Sequence, residues 1–476
     1  MSRINTNVAA LTAQRGLHTS QGKLNATLER LSTGLKINRG ADDPSGLIAS
    51  ESLRSEISGI NQAIDNGQRA NNVISTAEAA LSEVSSLLLN IKGMVVQSAN
   101  SGALSPEEVQ ANQLQVDSAV QSITRISNTT TFAGLRLIDG SLDYLTSGAS
   151  NSAFNSLRIN QANFGTAVNI PVNVDVITSA QHGELQFRTS AIAKTVTLEI
   201  NGNEGVDTLT FASGTTAGAV MSAINRLSDA TGVKAQLINS ANPASGVSFE
   251  STGWGSKEFV SIRAQSGTFD VVDANGDPRS RDTGRDAKAT INGALTVADG
   301  LRLKVATATL DMEVALNEAF GEGQSAFAIT GGGALFQLGS KVTANQQVNI
   351  GLQSVAASKL GDQKDGFLND LISGGKAALV DGKAANASRI IEKAIGQVAT
   401  LRGRLGAFEK NTLMTNINSQ QIALENVTAS ESNIRDADFA KETAELTRDQ
   451  ILTQAGTSVL ATANSSPRQV LSLLQG

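Results

Sequence analysis

Apolar residues near the start of the chain recur at alternating steps of four and three. Leu17, Leu24, Leu28, Leu31 and Leu35 mark the run, with Gln21 as its one polar member. That is heptad spacing, which predicts a helix whose narrow apolar seam faces another helix. A second run begins at Pro44. Leu53, Ile60, Gly67, Ile74, Leu81, Leu88 and Val95 recur every seven residues, with Ile57, Ile64, Ala77, Val84 and Ile91 at the alternate positions. Helical throughout, residues 44–98 would form a rod of roughly 80 Å at about 1.5 Å per residue. A helix of that length needs partner helices to cover it.

Ser105-Pro106-Glu107-Glu108 carries a helix-start signal: a serine cap, proline at the first helical position and a glutamate that closes a capping box. Val109, Val116, Val120 and Ile123 continue that helix to about Asn128. The stretch TTTFAGLRLIDGS then reads as a hairpin. Toward the other end, Ile391, Ile395, Val398, Leu401, Leu405 and Phe408 form another helical seam, weakening through Ile422. A further helix is predicted from about Ile434 to Ala463, with Ala440, Ala444, Ile451, Ala455 and Val459 on its apolar face. Ser466-Pro467 is expected to break and restart it, leaving an apolar tip at Val470, Leu471, Leu473 and Leu474.

The middle, about 146–375, changes period. Alternating runs such as TVTLEI and LRLKVATATL predict short strands, and Asn201-Gly202 and Asn292-Gly293 predict tight turns. One amphipathic helix is expected in TAGAVMSAINRLSDATG. The predicted fold is multidomain: α-helical coiled-coil terminal domains, with the N- and C-terminal segments paired, enclose a central α+β, strand-rich insert.

Composition narrows the function. The 476 residues include 44 acids against 38 bases, for a formal charge of -6, which offers no electrostatic footprint for nucleic acid. Aromatic residues are only 3%, while apolar residues reach 40%, a mixture suited to helices packed along seams. Cysteine is absent, so disulfides and thiolate metal sites are excluded. The first residues lack the apolar core of a cleaved secretory signal, and no run approaches the roughly 18 apolar residues expected of a membrane span.

Four features of the sequence carry candidate chemistry. In NRGADDPSG, Asp43 reads as an N-cap and Pro44 as the first helical residue, with Gly40 and Gly46 permitting a tight turn; this is a helix-start hinge rather than a phosphate or metal loop. DANGDP, starting at Asp273, imitates a calcium loop, but Pro278 stands where the glycine belongs and Gly284 where the bidentate acid belongs. The two histidines, His18 and His182, lie far apart, and HExxH is absent. GGGALFQLG at Gly331 reads as glycines leading into a strand, not a dinucleotide fingerprint. No catalytic constellation emerges, and no enzyme, metal or cofactor is expected.

RINTNVAAL, LERLSTGLKINRGADDPSGL and ANNVISTAEAALSEV at one end, with TAELTRDQILTQAGTSVLATAN and VLSLL at the other, closely resemble bacterial flagellin. The resemblance covers about the first 145 and the last 100 residues. The stretch near 195–265 resembles an insertion motif of some flagellins and hook-associated proteins. The resemblance implies an inner coiled-coil polymerisation domain, 1–40 with 431–476. A helical-rod domain with a hairpin, 41–145 with 376–430, and a surface-exposed insert, 146–375, complete it. It implies a homopolymer seam at Leu17, Leu24, Leu28, Leu31 and Leu35, paired with the face holding Ile451, Ala455, Val459 and Leu460 and completed by Leu471, Leu473 and Leu474.

It further implies unfolded export through the flagellar type III apparatus and an export chaperone on the C-terminal helices. A filament cap protein and hook–filament junction proteins are the other implied partners, and the implied location is extracellular. Innate immune receptors are implied too. The family's receptor-read segment falls on LNIKGMVVQS, where Asn90, Gly93 and Met94 replace a basic residue, an acid and a leucine, so strong activation is not expected. The expected function is therefore a structural subunit of the motile flagellar filament. The alternatives are a hook–filament junction protein or a filament-borne adhesin acting through the insert.

Overall fold

The structure, a computed structural model, describes the backbone of residues 6–100, 102–307 and 309–474, with side chains through Ser466. Among these residues the α-helices are α1 (Val8–Thr33), α2 (Pro44–Ser98), α3 (Pro106–Thr129), α4 (Ala217–Asn225), α5 (Ser228–Thr231), α6 (Ala384–Phe408), α7 (Thr415–Arg435) and α8 (Phe439–Leu474). Two compact units result. One takes its described residues from 1–71, 337–342 and 410–476, and the other from 72–336 and 343–409.

In the first unit, α1 packs on α8, and α7 lies against the early part of α2. Gly67 explains the closeness of the latter pair: a Cβ there would come within 2.8 Å of the Ile417 side chain. The expected helix from Ile434 is interrupted. Asp438 Oδ1 accepts from the backbone N–H of Ala440 at 3.0 Å and of Lys441 at 3.2 Å, so α8 has its own capped start after α7 ends at Arg435. The expected break at Ser466-Pro467 is not there. The backbone stays helical to Leu474, because a proline removes one bond of the ladder and neighbouring turns carry the helix across it.

In the second unit the later part of α2 packs with α3 and α6. Ile74, Leu81, Leu88, Ile91 and Val95 of α2, Val116, Val120 and Ile123 of α3, and Ile390, Ile391, Val398 and Leu405 of α6 are at most 2% exposed. Ala394 takes the buried position expected of Ile395, which is only partly buried. By length and composition α2 is long and apolar enough to cross a membrane, contrary to the expectation of no such run. Within the chain 28% of its most apolar window is buried, and Leu89 and Val96 of α2 stay exposed.

The capping box of α3 is complete: Glu108 N donates to Ser105 Oγ at 3.3 Å and Ser105 N to Glu108 Oε2 at 2.8 Å. Ser105→Ala should therefore lower the stability of this unit by about 1 kcal/mol, read as an earlier denaturation midpoint with an unchanged slope. The hairpin follows as two short strands, Thr131–Phe132 and Leu135–Arg136, joined by Ala133 and Gly134 at φ of 49° and 83°.

The insert forms two lobes. One holds a five-stranded antiparallel sheet in the order Ala294–Leu295, Lys288–Ile291, Ile170–Thr178, Gly323–Gly332, Tyr144–Ser147. Beside it is a four-stranded sheet, Val297–Asp299, Arg302–Ala306, Leu310–Leu316, Phe154–Ala162. Val172, Val174, Leu303, Met312, Val314 and Ile329 fill this lobe's core. Tyr144 is buried there with its hydroxyl satisfied, donating to the Asn349 carbonyl at 3.0 Å and accepting from Ala162 N at 2.8 Å.

The other lobe has a four-stranded sheet, Arg281–Thr283, Phe259–Ser266, Val196–Asn201, Val206–Phe211. A three-stranded sheet, Glu184–Phe187, Val247–Ser251, Val233–Leu237, carries α4 against it. Its core includes Phe249, Leu185, Leu198, Val220 and Ile224. The expected helix is α4, capped by Thr216, whose side chain accepts from Ala219 N.

Candidate functional site

α1 and α8 form an antiparallel pair. Asn7 caps α1 by accepting from Ala10 N at 3.0 Å, and its Nδ2 donates to the Ala463 carbonyl at 2.7 Å. At the other end Gly34 closes α1 with φ of 72°. Its carbonyl accepts from Ala437 N, while Lys36 N donates to the Arg435 carbonyl. Between these ties the inward residues of α1 are Ala10, Ala13, Leu17, Ser20, Leu24, Thr27 and Leu31. The inward residues of α8 are Glu442, Leu446, Asp449, Thr453, Gly456, Leu460 and Ala463. Both sets step by three and four. Gly456 lets the helices approach, since a Cβ there would lie 3.2 Å from Leu17 Cδ1. Arg30 Nη1 lies 3.5 Å from Glu442 Oε1, an acid only 5% exposed, which ties the register.

The predicted seam is therefore partly brought together. Leu17, Leu24, Leu31 and Leu460 face it. Leu28 sits at its edge, 46% exposed, and Gln21 is exposed, while Ser20 and Thr27 occupy the inner positions. Leu35 lies beyond the helix end, bridged to Asp436. The face predicted for α8 is turned outward: Ile451 is 63% and Val459 57% exposed, and Ala440, Ala444 and Ala455 are exposed too. It lies roughly two-fifths of a turn around the helix from the inner stripe, at about 100° per residue. Leu471, Leu473 and Leu474 belong to the last turns of α8, but their side chains lie outside the described residues.

The physical content is an inversion. The pair inside one chain uses a stripe rich in small and polar residues, and the more apolar stripe of α8 stays in water. Glu442, Asp449, Gly456 and Ala463 repeat every seven residues. That spacing could have revealed the inner stripe, had polar and small residues been counted with apolar ones.

The NRGADDPSG turn is held by its two acids. Asp42 Oδ2 accepts from the backbone N–H of Asn38 at 3.0 Å and of Arg39 at 2.9 Å. The Arg39 and Asn38 amides hold the Asp42 carboxyl below its usual range. Asp43 Oδ1 accepts from Gly46 N at 2.9 Å and caps α2, with Pro44 as its first residue. Gly46 is required, because a Cβ would meet the Asp43 carboxylate at 2.5 Å and Ile37 Cδ1 at 2.7 Å. Gly40 faces only ordinary contact with Leu47, so the close approach expected there belongs to Gly46 alone.

Elsewhere, Asn90 and Gly93 are exposed on α2 and Met94 is partly buried, with Leu89 and Val96 exposed nearby. Asp273 is buried in its turn, accepting from Asn275 N and Asp277 N, both at 2.9 Å, and paired with Arg279 Nε at 3.2 Å. Its carboxyl is committed to the turn. His18 is exposed on α1, whereas His182 is partly buried against Trp254.

Comparison with known proteins agrees with this architecture. The sequence pattern described as the bacterial flagellin N-terminal helical region matches residues 4–143, and the C-terminal helical region matches 388–474. The flagellin hook IN motif matches 197–253, within the lobe that carries α4. Along its length the chain is 31% identical to the B-type flagellin of Pseudomonas aeruginosa, covering 99% of each chain. It is 29% identical to a flagellin of Salmonella typhimurium and 27% identical to flagellin A of Helicobacter pylori, again over 99% of each. With matching helical regions at both ends and similarity running through the insert, the chain belongs to the bacterial flagellin family, the structural subunits of the flagellar filament.

Proposed function

We propose that this chain builds the filament by burying the outward stripe of α8, Ile451, Ala455 and Val459, against further copies of itself, together with exposed Val8, Leu11 and Leu28 of α1. The observation that carries this reading is the inversion on α8, whose more apolar stripe, with Ile451 and Val459, stays wet while Glu442, Asp449 and Gly456 face α1. Apolar surface is stabilised by about 25 cal/mol per Å² removed from water, a gain that the outward stripe has not yet realised in one chain. A heterologous contact that does not close on itself would then extend without limit.

On this reading residues 1–40 with 431–476 form the innermost layer, 41–145 with 376–430 the layer around it, and 146–375 the surface facing the medium. The filament serves motility. The subunit travels unfolded through the flagellar type III apparatus, with a chaperone on the C-terminal helices, and adds beneath a cap protein above hook–filament junction proteins.

The test is seeded growth of purified chain on short filament fragments, followed by electron microscopy. Long filaments are expected, and removal of residues 467–476 is expected to stop growth. A chain that never elongates on seeds would instead be a junction component. Normal filaments from the truncated chain would remove α8's end from the assembly.

A further inference from the structure

Four asparagines of this chain precede a glycine: Asn66, Asn201, Asn275 and Asn292. Glycine has no Cβ to shield its backbone nitrogen, so that nitrogen can reach the side-chain carbonyl carbon of the asparagine before it. The fold treats the four pairs differently. Asn66 and Gly67 lie inside α2, where Gly67 is buried and Asn66 Oδ1 accepts from Gln62 Nε2 at 3.1 Å. Asn201 is paired on both sides, opposite Ser261 and Val206, and Gly202 N donates to the Gly205 carbonyl at 3.1 Å. Gly202 is buried as well, and a Cβ there would stand 2.3 Å from the Thr231 carbonyl oxygen. Asn292 is exposed, but both ends of its amide are held. Its Oδ1 accepts from Asn173 N at 2.8 Å and its Nδ2 donates to the Pro171 carbonyl at 3.0 Å.

Asn275 is the exception. It is exposed in the loop 273–279, and its side-chain amide makes no hydrogen bond among the described residues. Gly276 stands at φ of 95°, and its N–H is held by one bond, to the Asp273 carbonyl at 2.9 Å. We propose that Asn275 is a self-modification site, where the chain deamidates through Gly276 and so acquires a one-way mark of its age. The Gly276 nitrogen gives up its proton and forms a bond to Asn275 Cγ. The Cγ–Nδ2 bond breaks, and ammonia leaves with a proton equivalent to the one released. Water then opens the cyclic imide at either carbonyl, leaving an aspartate or an isoaspartyl link.

The product alters the loop that made it. Asp273 N donates to the Asp277 carbonyl, and Asp273 Oδ1 accepts from Asn275 N and Asp277 N, each at 2.9 Å. An isoaspartyl link adds one carbon to the backbone between residues 275 and 276, so these bonds cannot all be kept at once. Either product also sets a new carboxylate close to Asp273 and Asp277, and Arg279, at 3.2 Å, already answers Asp273. The strand pairing behind the loop does not depend on residue 275. Gln186 N donates to the Val272 carbonyl at 2.7 Å and Val272 N to the Gln186 carbonyl at 3.0 Å, so the change stays local.

In the test the full chain is held in mildly alkaline buffer and sampled over time, and mass spectrometry of its peptides follows amide-to-acid conversion at all four asparagines. Asn275 should react first. Each hydrogen bond that has to open slows such a step by roughly fivefold, so Asn292, with two on its amide against the one at Gly276, should lag by about that factor or more. Asn66 and Asn201 should lag further, because helix or strands must open first. In concentrated denaturant the four rates should converge, since the fold that separates them is gone. In the aged chain the amides of Gly276 and Asp277 should exchange faster, while those of Gln186 and Val272 keep their protection. Asn275→Gln should remove the early acidic form seen on ion exchange. The proposal fails if Asn275 stays intact when the denatured chain has already converted there. It fails equally if Asn292 converts as fast as Asn275, or if denaturant leaves the order of the four sites unchanged.

Discussion

Replacing both Ile451 and Val459 with aspartate should abolish filament growth while leaving the α1–α8 pair intact. The two positions are 63% and 57% exposed in the single chain, so the substitutions touch little within it, and surface changes of this kind alter stability by only about 0.5 kcal/mol. In the proposed assembly each carboxylate would be buried without a counter-charge, at about 3–5 kcal/mol apiece. At roughly 1.4 kcal/mol per tenfold, two such terms raise the concentration needed for growth by about 10,000-fold or more. Circular dichroism should show unchanged helix content, and seeded growth should fail. Filaments that form normally from the double variant would mean that the outward stripe is not the contact. A matched change at exposed Leu335 should do nothing to growth.

Phe249→Ala is the second large effect. Phe249 is fully buried in the α4 lobe, with its ring 6.2 Å from Phe269, which stacks on Phe187 at 4.1 Å. Removing it discards the transfer energy of the ring and leaves a cavity between the two sheets, at about 3–5 kcal/mol. Small lobes have little stability to spare, so this one should lose protection of the strands Val233–Leu237 and Val247–Ser251 in hydrogen exchange and melt earlier in calorimetry. Val206→Ala, at a position 59% exposed, is the control and should shift the transition very little. Seeded growth of the Phe249 variant should survive, because α8 lies in the other unit. Unchanged exchange in the lobe would contradict the packing described for it.

The helices were legible because heptad repeats are local. Leu81, Leu88 and Ile91 announce their burial within two turns of sequence, and Ser105 with Glu108 announces a helix start. α8 was harder for a physical reason. Two stripes run along it, and reasoning that weights apolar residues selects Ile451 and Val459. The intrachain partner instead accepts Glu442, Asp449 and Gly456, because a short side chain allows close approach and Arg30 answers Glu442. The cap at Asp438 lies inside a run whose spacing looks continuous in sequence.

In the insert, alternation correctly marked strands such as Val196–Asn201 but could not name their partners. Phe154–Ala162 pairs with Leu310–Leu316, and nothing local in either strand specifies a neighbour so distant in the chain. The approach of His182 to Trp254 was invisible for the same reason, since 72 positions separate them in the chain.

The strands Tyr144–Ser147 and Gly323–Gly332, the first and last along the chain in the five-stranded sheet, are hydrogen-bonded side by side, with Tyr144 opposite Gly332. Gly332 is needed for that proximity, since a Cβ there would fall 2.1 Å from the Asp143 carbonyl oxygen. The chain between them leaves and returns about one strand spacing apart, and Asn160 within it adds a tie to the outside, its carbonyl accepting from Gly351 N at 3.0 Å. The helical part of the chain therefore senses the same doorway whether the cargo behind it is large or small. A different cassette with adjacent ends could be spliced across Tyr144 and Gly332 without moving α1, α2, α3, α6, α7 or α8, which makes this a natural place for the surface to diversify.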